Sequence, residues 1–242
     1  MTAGALRALH RDRAAEDPLV VPGPWDAASA RVFEEAGFAT LATPSAGIAA
    51  ALGHADGQTP PEEMFAAVAR IVRAVSVPVT ADLEDGYRLS PRELVARVLE
   101  TGAVGVNLED SVRSGGLGDP RAQADRLAQV REAAGGELFV NARTDTYLAA
   151  SASGDPAADA IERGRLYVAA GADCVYPIAA PASDLPRLSA GIGAALDFLS
   201  RPGGPSAAEA GRLGATRITF GHGLLLRTLH GVADLARELR TA

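Results

Sequence analysis

The sequence predicts a (β/α)8 barrel of the TIM type, and three observations carry that expectation. Eight short apolar runs alternate with helix-period stretches from end to end. The chain has 242 residues, close to the ~250 that eight such units use. Polar residues that interrupt the runs collect at their C-terminal ends, where a barrel of this kind keeps its chemistry. A doubly wound open sheet would use the same units, but no run is followed by the Gly-x-Gly-x-x-Gly turn of dinucleotide-binding sheets. No linker composition divides the chain, so one barrel domain over residues 1–242 is expected.

The runs come in order. LVVPG (19–23) precedes Asp26 and a helical stretch that closes at EEAGF. ATLAT (39–43) leads into TPSAG (43–47), read as a small-residue loop. A helix-period segment, PPEEMFAAVARIVRAV (60–75), separates it from VPVTADL (77–83). SPRELVARVLETG (90–102) carries the marks of a helix: Ser90 as N-cap, Pro91 at N1, Glu93 at N3 and Gly102 as its stop. AVGVNLE (103–109), ELFVNAR (137–143), ADCVYPI (172–178), ALDFLSR (195–201) and TRITFG (216–221) complete the set. The runs are nearly continuous in apolar character, as strands buried on both faces should be. ETGAVG, AAGADC and GRLGAT, like EEAGF, each end a helix on Gly before the next strand.

Composition narrows the function. A net charge of −7 offers no basic face for nucleic acid or an anionic membrane. All 23 cationic side chains are Arg, so Schiff-base catalysis and phosphate binding by a Lys ammonium are excluded. Cys174 is the single cysteine, which rules out an internal disulfide and a cysteine-based zinc cluster; in its apolar run it reads as packing. The opening stretch lacks a signal-peptide core, and no run is long enough to span a bilayer, so a cytoplasmic protein is expected.

The most informative stretch is VTADLEDGYR (79–88), which sets Asp82, Glu84 and Asp85 directly behind a strand. Strand alternation would put Asp82 and Glu84 on one face and Asp85 on the other. Glu109 ends the neighbouring run, with Asn107 facing inward. Converging carboxylates without Lys need a cation or a proton, and oxygen-only ligands favour Mg2+ or Mn2+ with several waters kept. The competing reading is that these acids cap helices and face solvent. Arg143 in VNARTD suits a bidentate clamp on a carboxylate or phosphonate, or else an ion pair with Asp145 or Glu109. TPSAG would offer backbone N–H groups to an anionic oxygen. His222 in FGHGLLL stands either in the site or simply in a strand-to-helix turn; it joins Tyr87 and His54 as a candidate proton donor.

SARVFEEAGF, TPSAGIAAALGHADG, DLEDGY, GVNLED and VNARTD, in this order and spacing, resemble the isocitrate lyase and phosphoenolpyruvate mutase superfamily from about Val20 to Asp173. The resemblance implies a Mg2+-dependent barrel enzyme that makes or breaks a C–C or P–C bond beside a 2-oxo acid through an enolate-like intermediate. It also implies dimers or tetramers that exchange the last helix. It makes Asp82 the direct metal ligand, with Glu84, Glu109 and Asp56 binding the metal through its waters. It assigns Arg143, with Thr43, Ser45, Ala46, Gly47 and Asp82, to the substrate, and Arg143, Glu109, Asp56 and His222 to catalysis. Two departures stand out. The Lys-Lys-Cys-Gly-His-like loop of the lyases is replaced by LEDSVRSGGLGDPRAQ, whose Gly-rich 111–118 segment is a candidate lid, and Ile178 stands where those lyases hold a glutamate. Cleavage of an oxaloacetate-like or 2-methylisocitrate-like acid is therefore expected. Phosphonopyruvate chemistry is the nearest alternative, and a non-catalytic 2-oxo acid binder the alternative of another class.

Overall fold

The computed structural model describes all residues except 12, 113, 114, 150–152 and 242. Strands β1 (Leu19–Val20), β2 (Leu41–Thr43), β3 (Val79–Asp82), β4 (Gly105–Glu109), β5 (Phe139–Thr144), β6 (Cys174–Pro177), β7 (Ala195–Leu199) and β8 (Arg217–Thr219) form a parallel sheet. Its order is β1-β8-β7-β6-β5-β4-β3-β2, and a backbone bond from Ala42 N–H to Pro22 C=O at 3.1 Å joins the two ends. One strand falls in each expected run and is shorter than it; β5 alone extends one residue past its run, to Thr144.

Helices α1 (Ala3–Leu9), α2 (Ala27–Glu35), α3 (Ser45–Leu52), α4 (Pro61–Ala74), α5 (Pro91–Thr101), α6 (Pro120–Ala134), α7 (Pro156–Ala169), α8 (Leu185–Ile192), α9 (Ala207–Arg212) and α10 (Gly223–Thr241) fill the gaps. Local chemistry starts and stops them as the sequence expects. Ser90 Oγ accepts the Glu93 N–H at 3.3 Å, and Gly102 closes α5 at φ 81°, a conformation an L side chain rarely adopts. Asp26 is likewise a cap: its carboxylate accepts the Ser29 N–H at 2.7 Å at the start of α2.

Leu41, Val79, Ala81, Val106, Leu108, Val140 and Ala142 pack into the layer between sheet and helices. By alternation, Thr80, Asp82, Asn107, Glu109, Asn141 and Arg143 face the barrel interior. The N-terminal end of the barrel is plugged by α1. Its Leu6 joins Phe139 and Cys174 in one buried cluster, and His10 stacks on Phe139 with ring centroids 4.5 Å apart. Burial, with Arg217 nearby, pushes His10 down to about 4. Cys174 is fully buried, and burial pushes its thiol upward, so it behaves as packing.

At the other terminus α10 leaves the barrel. Of its side chains only Leu225 is buried, while Leu226, Leu229, Val232, Leu235 and Leu239 stay exposed at three- and four-residue spacing. Among the described residues no helix is long and apolar enough to cross a membrane.

Candidate active site

Asp82 is the last residue of β3, and two neighbours hold it there. Ser45 Oγ donates to Asp82 Oδ2 at 2.9 Å, and the Glu84 N–H donates to Oδ1 at 3.4 Å. TPSAG, expected as a loop, is instead the entry of a helix: Ser45, Ala46 and Gly47 form the first turn of α3, with Pro44 as a cap that supplies no side-chain acceptor. The first N–H groups of a helix lack intrahelical partners and favour negative charge. The Ser45 N–H is spent on Asp82. Gly47 is required sterically, since a Cβ there would lie 2.8 Å from Pro44 Cγ. Thr43 stands apart. Alternation puts its side chain on the helix-facing side with Leu41, where its buried hydroxyl has no hydrogen-bond partner.

The expectation that strand alternation carries Glu84 to the face of Asp82 does not hold. The strand ends at Asp82, and Glu84, Tyr87 and Arg88 adopt left-handed backbone at φ 53°, 56° and 59°. Such conformations cost about 1 kcal/mol or more each for a residue with a Cβ, so something must hold the turn. Part of the hold is Arg126, reaching over from α6: its Nη2 donates to the carbonyls of Asp85 and Leu89 at 3.2 and 3.1 Å. Within the turn the Tyr87 N–H donates to Asp85 Oδ1 at 2.8 Å, and the Tyr87 hydroxyl to Glu84 Oε1 at 3.5 Å. Glu84 thus reaches the mouth through a strained turn, and it lines a cavity of about 330 Å³ with Glu109, Asp85, Ser111, Val112, Gly57 and Gln58.

Arg143 is the cation on which Asp82, Glu109 and Asp145 act. Its Nε and Nη2 donate to the two oxygens of Asp145 at 2.6 and 2.8 Å, and its Nη1 pairs with Glu109 Oε2 at 2.8 Å. Both ion pairs that the sequence left open are therefore present. A guanidinium has five N–H donors, so one on each Nη is left over. Burial raises the Asp82 carboxyl despite Arg143 and Ser45. Glu109 is pushed up to about 8, first by burial and then by Asp82, Asp145 and Glu84, against the pull of Arg143. Burial opposes the charge on Arg143, but Asp82, Glu109 and Asp145 outweigh it and drive its pKa upward. Three carboxylates, those of Asp82, Glu109 and Asp145, act on this one guanidinium.

Other expected residues lie elsewhere. Asp56 is exposed, although its neighbours Gly57 and Gln58 line the cavity of Glu84 and Glu109. His222 is exposed in the turn before α10, where its carbonyl accepts the Leu226 N–H; among the described residues its side chain makes no hydrogen bond or ion pair with the site. The bland alternative, a turn residue, describes it. His54 pairs with Glu63 at 3.1 Å on the surface. Of the candidate lid, Arg113 and Ser114 lie outside the described residues. Among those described, no group of three or more His, Cys, Asp or Glu side chains could hold a metal ion.

Beneath the mouth lies a polar layer of which the sequence reading named Asn107 but missed Asp197, Arg217 and Thr219. Asn141 Nδ2 donates to Asn107 Oδ1 at 3.0 Å and to Asp197 Oδ2 at 2.9 Å, and the Thr219 hydroxyl donates to Asp197 Oδ1 at 2.9 Å. Asp197 pairs with Arg217 at 3.1 Å, both with 0% side-chain exposure. Each is the one charge in its strand, and the two are in register. A charge set among apolar neighbours in each of these two strands was the available signal.

Comparison with known proteins fits this geometry. A family model described as phosphoenolpyruvate phosphomutase matches residues 6–240. An uncharacterised protein of Mycobacterium tuberculosis is 32% identical over 223 residues, covering 92% of this chain and 84% of that one. The crystal structure of a putative phosphonomutase from Burkholderia cenocepacia J2315 superposes with a TM-score of 0.90 at 37% identity, covering 98% of each chain. That of 2,3-dimethylmalate lyase, a PEP mutase/isocitrate lyase superfamily member, superposes at 0.85 with 27% identity, covering 100% of this chain and 88% of the other.

Proposed function

Since the chain belongs to the phosphoenolpyruvate phosphomutase family, within the isocitrate lyase superfamily, we propose that it is a Mg2+-dependent lyase. Its substrate would be a small 2-oxo acid or a related di- or tricarboxylate, of oxaloacetate-like or 2-methylisocitrate-like shape, cleaved at a C–C bond through an enolate. The observation that carries this reading is the pair of buried carboxyls at the mouth: Asp82 and Glu109 are both pushed up although the guanidinium of Arg143, which Asp145 also engages, stands beside them.

The donor set fits a hard dication better than a softer one, being all oxygen. Asp82 would hold the ion directly. Glu84 and Glu109, with Asp56 from the adjoining loop, would hold its waters. When bound there, Mg2+ supplies the Lewis-acid charge that favours an enolate. The remaining work falls to the protein. The two spare N–H groups of Arg143 grip a carboxylate of the substrate, while Asp145 and Glu109 fix the guanidinium plane. The Ala46 and Gly47 N–H groups receive the carboxylate of the 2-oxo acid at the start of α3. Thr43 is left out of this role by the face it occupies.

A second reading, P–C bond chemistry on phosphonopyruvate, is favoured by the likeness to a putative phosphonomutase. We further propose that the protein is cytoplasmic, that residues 1–242 act as one domain, and that a second subunit covers the exposed stripe of α10 in a dimer or tetramer. Product analysis by NMR tests the reading. Oxaloacetate, 2-methylisocitrate and phosphonopyruvate are supplied separately with Mg2+, each beside a chelator control. Chelator-sensitive C–C cleavage is expected. Conversion of phosphonopyruvate alone would select the second reading, and Mg2+-dependent binding without turnover would replace the enzyme by a 2-oxo acid binding protein.

A further inference from the structure

Arg163 lies on α7, outside the barrel mouth, and none of its bonds reaches a group assigned to substrate or metal. Its contacts are nonetheless unusual in what they join. Nη1 donates to Asp110 Oδ2 at 2.9 Å, just before the 111–118 loop, and Nη2 donates to the carbonyl of Gly118, where the loop ends, also at 2.9 Å. The loop's neck is closed between the same two residues by a bond from the Gly118 N–H to the Asp110 carbonyl at 2.8 Å. Tyr167, one helical turn after Arg163, donates its hydroxyl to Asp110 Oδ2 at 2.7 Å.

The other oxygen of Asp110 leads to the site. Oδ1 accepts the backbone N–H of Asp145 at 2.9 Å. Asp145 in turn clamps Arg143 through both carboxylate oxygens, and it accepts a hydrogen bond from the hydroxyl of Ser111, the first residue of the loop. Two routes therefore run from the loop to the Arg143 guanidinium, one through Ser111 and one through Asp110, and Arg163 anchors the second at both ends of the loop.

We propose that Arg163 is a positioning residue that couples the neck of the 111–118 loop to the Arg143 clamp. Asp110 has 0% side-chain exposure, so its charge needs a partner in any case. A partner alone would explain the Asp110 bond but not the bond to Gly118. Because one carboxylate serves both the neck and the Asp145 N–H, loosening the neck shifts the residue that aims Arg143. Small displacements of such supporting groups weaken a site even where every contacting side chain is intact. This inference rests on the reading of Arg143 as the grip on a substrate carboxylate.

The test pairs two readouts on the full chain: hydrogen exchange of the loop-neck amides, and affinity for oxalate with Mg2+ by calorimetry, oxalate being the smallest dianion that mimics a planar 2-oxo acid. Arg163→Gln should speed exchange at the neck and weaken oxalate binding, each by about tenfold. Tyr167→Phe, which keeps the charge pair and removes one hydrogen bond to Asp110, should move both in the same direction by about two- to threefold, and it carries the test if Arg163→Gln does not fold. Arg131→Gln is the stability control, because Arg131 pairs with Asp173 at the far end of the barrel; it should lower Tm and leave both readouts alone. Unchanged oxalate affinity in Arg163→Gln or Tyr167→Phe, or an equal change in Arg131→Gln, overturns the coupling. Arg143→Ala separates the two ideas. If it abolishes oxalate binding while Arg163→Gln does not weaken it, only the coupling fails. If it binds oxalate like the wild type, the carboxylate grip fails and the coupling falls with it.

Discussion

At the closed end of the barrel one carboxylate meets two guanidiniums; at the mouth the guanidinium of Arg143 meets three carboxylates, those of Asp82, Glu109 and Asp145. Asp173 pairs with Arg7 at 2.7 Å and with Arg131, and it accepts the Val140 N–H at 2.8 Å. Burial opposes its charge, but Arg7, the Val140 N–H and Arg131 outweigh that and hold its carboxyl below the usual range. At the mouth the same residue types leave Asp82 and Glu109 raised. The difference is one of purpose. The closed end is neutralised within the chain and staples α1 to the sheet. At the mouth, burial and the neighbouring carboxylates push Asp82 and Glu109 up despite Arg143, so their charged forms are held at a cost that a ligand cation would offset.

The sharpest way to break the comparison is to remove the centre of the unbalanced end. Asp82→Ala should cut Mg2+-dependent turnover by about 10³-fold, with circular dichroism and Tm near wild type. Full turnover at saturating Mg2+ would show that the excess charge serves no metal. Arg143→Lys should follow at about 10²-fold in kcat/KM, because an ammonium cannot keep the Asp145 fork, the Glu109 pair and two spare donors together. An unchanged kcat/KM would take Arg143 out of the site.

At the balanced end the loss should be in stability and not in rate. Asp173→Asn strands Arg7 and Arg131 and should cost about 2–3 kcal/mol by urea denaturation, below the ~3–5 kcal/mol of a fully buried broken pair because these side chains are partly hydrated. A loss of turnover at unchanged stability would reverse the assignment of the two ends.

How much of this contrast was legible in the sequence depends on the range of the interaction. The eight strands and the caps at Ser90 and Gly102 are set by neighbours along the chain, and they read correctly. Asp82, Glu109 and Arg143 were legible because strand ends converge in a barrel. Glu84 lines a cavity with Glu109 by a route the sequence did not suggest: a period-2 pattern says nothing of a left-handed turn held from a helix some forty residues away. The first turn of α3 was taken for a loop because Pro44, Ser45 and Gly47 are residues that turns favour. The pairing of Asp197 with Arg217 across two strands, and the bonds of Arg163 to both ends of one loop, are long-range, and local pattern does not encode them.

The two ends should also respond oppositely to pH. The folded value of Glu109 lies above its ordinary one, so the folded, metal-free protein keeps a proton that the unfolded chain releases. Its contribution to stability is complete below about 4.5 and is lost as pH rises to about 8. Asp173 is depressed; its contribution is present above the ordinary Asp range and is lost as pH falls through its lowered value. Metal-free wild type should therefore lose stability between about pH 5 and 8, by at most ~1.4 kcal/mol per pH unit, and Glu109→Gln should flatten that slope. An unchanged slope in Glu109→Gln would assign the excess proton elsewhere.

The smallest effect bears on where the mouth ends. Thr43 is the last residue of β2, one Pro away from the first turn of α3, yet its side chain shares the face of Leu41 and its buried hydroxyl has no partner. A buried hydroxyl without a hydrogen bond costs about 1 kcal/mol or more, and Val keeps the shape while removing the oxygen. Thr43→Val should raise stability by about 1 kcal/mol and leave kcat/KM unchanged, whereas Ser45→Ala, two residues further on, should weaken turnover because Ser45 Oγ holds Asp82 at 2.9 Å. If Thr43→Val lowers kcat/KM instead, the hydroxyl turns toward the substrate in the working enzyme. The boundary between the packing side and the chemical side of β2 would then lie one residue earlier, between Ala42 and Thr43.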